Sequence, residues 1–259
     1  MPASRAESKD AAKFTRASQM KLSYRAQSHI GLVRSCNEDA YAVGDGQSDE
    51  YAGSLFVVCD GMGGQGVGDV AAQLAANTII EAYYSSENPD RGAALVEAFS
   101  AANQRVFQQV GPAADGTTAV AALLVEGKLY IAHVGDSRAY RFHSNCLQQI
   151  TEDHRYIERL IRLGIITRED PRKHPGRNPL YRSVGARESI EVDLFRELME
   201  EEDMVLLCTD GLHGFVESTE IENELRTCPF ANGVGRLIDL ANTRGGCDNA
   251  TAILIWRDE

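Results

Sequence analysis

Three apolar segments of this 259-residue chain stop or start at an aspartate that stands beside small residues. The segments are VVCDGMGG, LLCTDGLHG and GGCDNATAILI, and their aspartates are Asp60, Asp210 and Asp248. A short apolar run of this kind is typical of a buried strand, so each segment brings a carboxylate to the end of a sheet. Central strands of one sandwich could bring all three together. Asp136, in HVGDSRAYR, follows a predicted strand that begins at Lys128 and supplies a fourth carboxylate.

An Asp-Gly pair is also a strong signal for a tight hairpin, which is the alternative interpretation of these segments. The residues after Asp60 and Asp210 look helical or irregular, however, and not like the second strand of a hairpin. The aspartates therefore favour a metal site, because Mg²⁺ and Mn²⁺ prefer carboxylate, carbonyl and water oxygens. Gly61 suits such a site because a residue without a side chain leaves its carbonyl accessible. Two ions roughly 4 Å apart would turn a bridging water into a nucleophile near neutral pH.

Arg34, in GLVRSCNEDAYAV, is the candidate phosphate ligand. Its planar guanidinium can donate to two phosphate oxygens at once. Glu38 and Asp39 follow it closely, and taken alone the three residues are better explained as a surface ion pair. Their combination with the aspartate segments favours the phosphate site.

Composition limits the function classes. A net charge of −12 disfavours binding to a phosphate backbone, and 7% aromatic residues give little support to a base-stacking groove. No apolar run approaches the length of a membrane span, and residues 1–20 lack the apolar stretch of a secretory signal, so we expect a flexible tail there. The six cysteines form no CxxC pair, which argues against a zinc site or a disulfide framework and favours the cytoplasm.

The hydrophobic patterns predict one compact domain over residues 21–259, with both sheets and helices. Strands are expected at residues 54–59, 117–125, 128–134, 137–143, 146–150, 190–195, 204–208 and 251–256. Helices are expected around residues 67–74, 95–110, 157–161 and 234–241. The first helix should bury Val67, Val70 and Leu74. The strand at 129–134 is largely apolar on both faces, which indicates a sheet covered on both sides and hence a helix-flanked β-sandwich.

Eight motifs in chain order resemble those of the metal-dependent protein phosphatase family, also called type 2C, with the spacing of its compact bacterial branch. They are VRSCNEDA, VCDGMGG, DGTTAV, HVGDSRAYR, ITEDH, RNPLYRSVG, LLCTDGL and GGCDNATAIL. The resemblance implies an α+β fold, a central antiparallel β-sandwich flanked on both sides by pairs of antiparallel helices in four α-β-β-α layers. It also implies a flap at about residues 155–183 beside the active site. The implied activity is hydrolysis of phosphoserine and phosphothreonine in proteins at a centre of two Mn²⁺ or Mg²⁺ ions.

The resemblance assigns roles by position to the motif residues. The implied metal ligands are Glu38, acting through water, and Asp60, Gly61, Asp136, Asp210 and Asp248. Asp60 would bridge the two ions, Gly61 would contribute its carbonyl, and Asp136 would help to hold a third, weaker ion. Arg34 and Asp60 are the expected catalytic residues, with Arg34 clamping the phosphate. Asn249 is expected to support the ligand beside it.

Asp39 is a second expected supporting residue. A different position, residue 62, departs from the family pattern. Eukaryotic relatives carry a histidine directly after the Asp-Gly pair, where it can act as a general acid, but this chain has Met62. Methionine cannot donate a proton, so protonation of the leaving group is expected to fall to a metal-bound water. His154 is a weaker candidate acid, for which we prefer a structural role.

Two further groups of residues invite hypotheses. The flap cations Arg172, Lys173, Arg177 and Arg182 are placed to contact an acidic phosphopeptide, although a solvated charged face explains them equally well. Three cysteines lie within two residues of the metal aspartates, namely Cys59, Cys208 and Cys247. Redox control through them is disfavoured, because two lie in apolar strands, where burial raises the pKa of a thiol.

The expected partners are phosphorylated proteins, among them a serine/threonine kinase, with no nucleic acid and no membrane. A monomer is expected. The main alternative is a catalytically silent fold that acts as a binding or regulatory module, whose signature would be the loss of a metal aspartate, and none is lost here. A metal-dependent phosphodiesterase acting on nucleotides or nucleic acid is the second alternative, and the acidic charge and low aromatic content disfavour it.

Overall fold

The chain folds into two antiparallel sheets packed face to face, with helices on both outer faces. The computed structural model describes residues 21–44, 52–63, 66–111, 115–167, 179–227 and 232–257. The expected tail at residues 1–20 and the flap cations Arg172, Lys173 and Arg177 lie outside the described residues.

The first sheet contains five strands in the order β1-β11-β10-β7-β8. In that order the strands are β1 (Leu22–His29), β11 (Ala250–Arg257), β10 (Met204–Cys208), β7 (Arg138–His143) and β8 (Cys146–Gln149). The turn between β7 and β8 has positive φ at both Ser144 (49°) and Asn145 (63°). Two-residue hairpin loops need this conformation because it matches the twist of the flanking strands.

The second sheet has the order β2-β3-β5-β6-β9, and the short strand β4 pairs with the end of β3. The strands are β2 (Asp39–Gly44), β3 (Ser54–Met62), β4 (Gly116–Thr117), β5 (Ala119–Val125), β6 (Lys128–Val134) and β9 (Asp193–Leu198). Glu126 and Gly127, both with positive φ, form the predicted hairpin between β5 and β6. The strand predicted at 190–195 begins later, and the one predicted at 117–125 is divided at Thr118.

Helices cover both outer faces of this sandwich. Helices α1 (Gly68–Tyr84) and α2 (Arg91–Val110) pack together over the second sheet, and α2 is capped by Asp90, whose carboxylate accepts from two backbone N–H groups. The first sheet is covered by α4 (Asp210–His213), α5 (Ser218–Thr227) and α6 (Gly233–Thr243). Apolar side chains of the facing sheets, such as Val58, Val120 and Ile253, fill the space between them. This confirms the predicted four layers.

Helix α3 (Tyr156–Arg162) belongs to the predicted flap. Within the described part of the chain, no helix combines the length and the apolar character needed to cross a membrane.

The predicted apolar stripe of α1 is wrong at two of its three residues, since only Leu74 packs against the core. Val67 precedes the helix and Val70 is 44% exposed, so neither belongs to the core. The buried face is made largely of alanine, and its members are Ala71, Ala72, Ala75, Ala76, Ile79 and Tyr83. Small side chains let α1 approach both α2 and the sheet closely, so the size of an apolar residue does not by itself mark the buried face. In α2 the expected residues Leu95, Phe99, Ala102 and Val106 are buried.

Candidate metal centre

The predicted site residues, except Asp39, line one pocket of about 290 Å³ at one end of the sandwich. Its lining is Arg34, Glu38, Asp60, Gly61, Met62, Gly63, Thr118, Asp136, Arg155, Leu180, Asp210, Asp248 and Asn249. Five carboxylates and two guanidinium groups therefore face one small space. The segments that carry them are far apart in sequence and are brought together by the strand ends.

Asp60 lies inside strand β3. The sequence pattern had suggested instead that the strand ends just before this residue. Its N–H donates to Thr118 Oγ1 at 3.0 Å, and the Thr118 N–H donates to its carbonyl at 2.8 Å. Across the sheet it pairs with Asp39 of β2. These contacts extend the strand by pairing it with the β4 region, so the Asp60 carboxylate has a rigid support.

Gly61 lies where the start of α1 comes closest to the sheet. Its N–H donates to the Glu38 carbonyl at 3.0 Å. A Cβ at this position would lie 2.0 Å from the Gly68 carbonyl oxygen, so a larger residue would displace the first turn of α1. The glycine is therefore required by packing, in addition to any role of its carbonyl.

Asp210 and Asp248 are placed by the ends of neighbouring strands in the first sheet. Asp210 is the first residue of α4, two residues beyond β10, and Asp248 lies two residues before β11. Between them, a Cβ on Gly211 would lie 1.9 Å from the Asn249 carbonyl oxygen. Only glycine allows the two segments to approach this closely.

Asn249 joins the Asp248 segment to the loop that carries Arg34 and Glu38. Its Oδ1 accepts from the Glu38 N–H at 2.8 Å. Its Nδ2 donates to the carbonyls of Ile30, at 2.8 Å, and Cys36, at 3.0 Å. This side chain satisfies three backbone groups at once, which fits the supporting role predicted for it.

The carboxylates repel one another in a poorly hydrated space. Burial, together with the neighbouring carboxylates, raises the pKa of Asp39 to about 7 and that of Asp136 to about 6. The pKa of Asp60 and that of Asp210 are also raised, mainly by burial. Asp39 accepts from Thr209 Oγ1 at 2.9 Å, but its Oδ1 is buried with no hydrogen-bond partner in the described structure. Oxygen donors with excess negative charge fit hard divalent cations.

Two arginines approach these carboxylates from different sides. Arg34, at the mouth of the pocket with 48% of its side chain exposed, donates from Nη2 to Asp248 Oδ2 at 2.8 Å. Arg155 lies deeper and contacts both Asp136 and Asp210. Burial opposes the charge of Arg155, but these carboxylates outweigh it and raise the pKa of the guanidinium.

Arg155 was not singled out from the sequence, which placed it only at the start of the flap. Its position directly after ITEDH is the one signal that it lies near the site. Met62, which the sequence analysis noted as a departure from the family pattern, lines the pocket beside the carboxylates and offers no exchangeable proton.

His154 lies outside the pocket lining, in agreement with the preferred structural role. It is 1% exposed, and its Nδ1 accepts from the Gly135 N–H at 3.1 Å. Its Nε2 lies 3.1 Å from Asp193 Oδ2. Both polar atoms of the ring are therefore engaged in contacts that hold the chain together.

The cysteines near the aspartates are of two kinds. Cys59 and Cys208 are buried free thiols, and burial raises the pKa of both, to about 12 for Cys208. A thiol that stays protonated is a poor nucleophile, as expected for these two residues. Cys247 is exposed.

A larger groove of about 1040 Å³ adjoins the pocket, and Met62 and Leu180 line both. Its basic residues are Arg159, Arg162, Arg182 and Arg187. Arg182 is engaged, since it donates to Asp193 Oδ1 at 2.8 Å and also pairs with Glu191. An acidic substrate that bound Arg182 would therefore have to compete with Asp193 and Glu191, which already bind this side chain.

Comparisons with known proteins agree with this geometry. Residues 25–159 match the family model of protein phosphatase 2C. The serine/threonine phosphatase stp of Listeria welshimeri is 34% identical over 237 residues, which cover 88% of this chain and 93% of the relative. The serine/threonine protein phosphatase PstP of Mycobacterium tuberculosis is 35% identical over 238 residues, covering 90% of this chain and 44% of that protein.

A solved structure shows the same fold with metal present in the relative. It is the catalytic domain of PstP in complex with two manganese ions, which is 33% identical and superposes with a TM-score of 0.76. The match covers 92% of this chain and 99% of that chain. The chain belongs to the protein phosphatase 2C family.

Proposed function

We propose that this chain is a metal-dependent serine/threonine protein phosphatase, which hydrolyses phosphoserine and phosphothreonine in proteins. The observation that carries this proposal is the convergence of five carboxylates, with an arginine at the mouth, in one small pocket. The described lining of that pocket includes no cysteine or histidine that would serve as a nucleophile. A water-based hydrolysis is the chemistry that such a site supports.

Asp60, Asp210, Asp248 and the Gly61 carbonyl would hold two Mn²⁺ or Mg²⁺ ions, with Glu38 acting through water. Such ions, when bound, would lower the pKa of a coordinated water, which would make water nucleophilic enough to hydrolyse a phosphate ester near neutral pH. The chain contributes rigid ligands, since Asp60 is fixed within β3 and hydrogen-bonded through its backbone to Thr118. Rigid placement keeps the reacting groups oriented.

Arg34 would bind the phosphate. One of its Nη groups donates to Asp248, and a guanidinium carries five N–H donors, so further donors remain for phosphate oxygens. Its partial exposure at the mouth suits a residue that meets an incoming anion. Asp39 and Asn249 would support the ligands, Asn249 by fixing the Glu38 backbone.

The adjoining groove supports a protein substrate. It is several times larger than the acidic pocket and offers the exposed side chains of Arg159 and Arg187. Arg159 lies over the Tyr181 ring at 5.7 Å, so it is held against the wall of the groove. We propose that acidic residues flanking the phosphorylated residue bind here.

The partners would be phosphorylated proteins, a serine/threonine kinase among them, and the enzyme would act as a monomer of a single catalytic domain over residues 21–259. Two buried free thiols, Cys59 and Cys208, support a reducing compartment such as the cytoplasm.

The experiment that tests this function is hydrolysis of a phosphothreonine peptide with Mn²⁺ or with EDTA. Asp60→Asn and Asp210→Asn should each lower turnover by at least about 100-fold, because loss of even an outer-shell group costs a metal site about 10- to 100-fold. Asp239→Asn, on the exposed face of α6, is the matched control and should behave as wild type. Wild-type protein that binds metal but hydrolyses nothing would contradict the proposal and favour a silent binding module.

A further inference from the structure

Arg155 places a fixed positive charge between two carboxylates of the candidate metal centre. Its Nε lies 2.6 Å and its Nη2 2.5 Å from Asp136 Oδ2. The same Nη2 lies 3.0 Å from Asp210 Oδ2. The guanidinium therefore joins the carboxylate expected to hold a third ion to a carboxylate expected to hold the first two.

The backbone of Arg155 is tied down on both sides. It forms a β-bridge with Leu180, and the next residue, Tyr156, donates its N–H to the Pro179 carbonyl at 3.1 Å. On the other side, the His154 N–H donates to the Gly135 carbonyl at 2.7 Å. The guanidinium is thus carried by a segment fixed both to the flap and to the loop before Asp136.

Asp136 is equally constrained. Its side chain is 8% exposed, and its carbonyl accepts from His213 Nε2 at 2.9 Å. Asp136 receives two guanidinium N–H groups within 2.6 Å, whereas Asp210 and Asp248 receive one each, at 3.0 and 2.8 Å. Of the three, Asp136 therefore has the least charge left to offer a second cation. A divalent ion at Asp136 would also be repelled by the adjacent guanidinium. The residues present do not fit a third ion at this position.

We propose that Arg155 takes the place of a third divalent ion in this phosphatase, so that the centre works with two ions and a built-in guanidinium. The inference rests on the proposed function. Arg155 neutralises Asp136 and holds the Asp210 carboxylate in the orientation in which it faces the pocket. A guanidinium stays protonated in proteins, so Arg155 contributes charge and position and is not a proton donor. It is a positioning residue.

The test is a count of Mn²⁺ ions per chain, by equilibrium dialysis and elemental analysis, for wild type, Arg155→Ala, Arg155→Lys and Asp136→Asn. Wild type, Arg155→Lys and Asp136→Asn should each bind two ions. Arg155→Ala should bind a third, weaker ion, because Asp136 is then free and uncompensated. Arg105→Ala, in a surface ion pair with Glu81 on α2, is the control and should bind two.

Three ions in wild type that fall to two in Asp136→Asn would overturn the inference, as would an unchanged count of two in Arg155→Ala. Wild type that binds no Mn²⁺ at all would instead overturn the proposed function. The single variant Asp136→Asn keeps the test decisive if Arg155→Ala does not fold.

A kinetic readout separates positioning from simple structural support. At a Mn²⁺ concentration that saturates the wild type, Arg155→Ala should lose about tenfold in kcat with little change in KM for the phosphopeptide. Further Mn²⁺ should restore part of this loss, and Arg155→Lys should retain more activity than the alanine variant. A loss in Arg155→Ala that neither Mn²⁺ nor lysine relieves would contradict the proposal.

Discussion

The acidic pocket and a nearby histidine cluster are both made of metal-ligating side chains, yet they differ in how far the charges of those side chains are already compensated by neighbouring groups. The cluster consists of His133, His154 and Asp193, whose ligand atoms lie within 4.8 Å of one another. By residue type and distance alone it is as good a metal candidate as the pocket that contains Asp60 and Asp210.

Two members of the histidine cluster, His154 and Asp193, already have partners within the protein, whereas the buried ring of His133 has none among the described residues. His154 Nδ1 accepts a hydrogen bond from a backbone N–H, so a neutral ring carries its proton on Nε2, which faces Asp193. That nitrogen has no lone pair left for a metal. Arg182 donates to the other oxygen of Asp193, so the carboxylate is already compensated.

The acidic pocket is in the opposite state. Five carboxylates meet two guanidinium groups, and Asp39 behind them keeps a buried oxygen without a partner in the described residues. A bound cation would relieve the repulsion here, whereas in the histidine cluster it would have to break existing contacts. Uncompensated negative charge distinguishes the metal site from the structural cluster, and proximity does not.

The largest expected effect comes from removing one carboxylate from each region. Asp248→Asn should lower Mn²⁺-dependent hydrolysis of the phosphothreonine peptide by at least about 100-fold, since a ligand is lost. Asp193→Asn should leave kcat close to wild type while lowering the thermal midpoint, because it breaks contacts with His154 and Arg182. Loss of activity of similar size in both variants would show that the two regions do not differ as described.

A smaller effect concerns acid stability and the buried His133. Burial lowers its pKa to about 3 from the usual 6.5, so the folded state favours the neutral ring. The unfolded state takes up a proton as pH falls below 6.5, and stability decreases from there towards pH 3, by at most about 1.4 kcal/mol per pH unit. His133→Leu should weaken this dependence.

Urea unfolding in EDTA at pH 6.5, 5.5 and 4.5 measures the difference between wild type and His133→Leu. Neither ring nitrogen of His133 has a hydrogen-bond partner among the described residues, so the leucine variant should not lose stability through a broken bond at pH 6.5. If the free energy of unfolding fell equally with pH in the two proteins, His133 would not be the buried neutral group described here.

The smallest effect concerns the groove beside the pocket. Arg187→Glu should raise KM several-fold for a phosphopeptide with acidic flanking residues and leave hydrolysis of a small aryl phosphate unchanged, because exposed charges act mainly on encounter and contribute little each. Arg196→Glu, exposed on β9 outside the groove lining, makes the same charge change and should have no effect. An equal rise in KM for both variants would show that the change in net charge, and not the groove, is responsible.

Local patterns predicted most of the fold because the decisive interactions are local. The two hairpins follow from short turns that tolerate positive φ, such as Glu126-Gly127, and the strands follow from apolar runs. The face of α1 was predicted wrongly at Val67 and Val70, because the pattern gave weight to these larger side chains and not to the alanines that are buried. What decides that face is the distance between α1, α2 and the sheet, which is a tertiary property.

The features of the site likewise divide into those that a local sequence pattern shows and those that depend on contacts between distant segments. Asp60, Asp210 and Asp248 were found because each stands beside an apolar run and small residues in a recurring pattern. The extension of β3 through Asp60 depends on pairing with the β4 region, almost 60 positions further along the chain, and no local pattern shows it. Arg155 was missed for the same reason, since its contacts with Asp136 and Asp210 span separations of 19 and 55 residues.

The most direct test of the central claim is an anomalous difference map, recorded at the manganese edge, from crystals of the protein grown with Mn²⁺. We expect two manganese peaks among Asp60, Asp210 and Asp248 and none at the histidine cluster. A peak between His133, His154 and Asp193, or an acidic pocket without manganese, would contradict this claim.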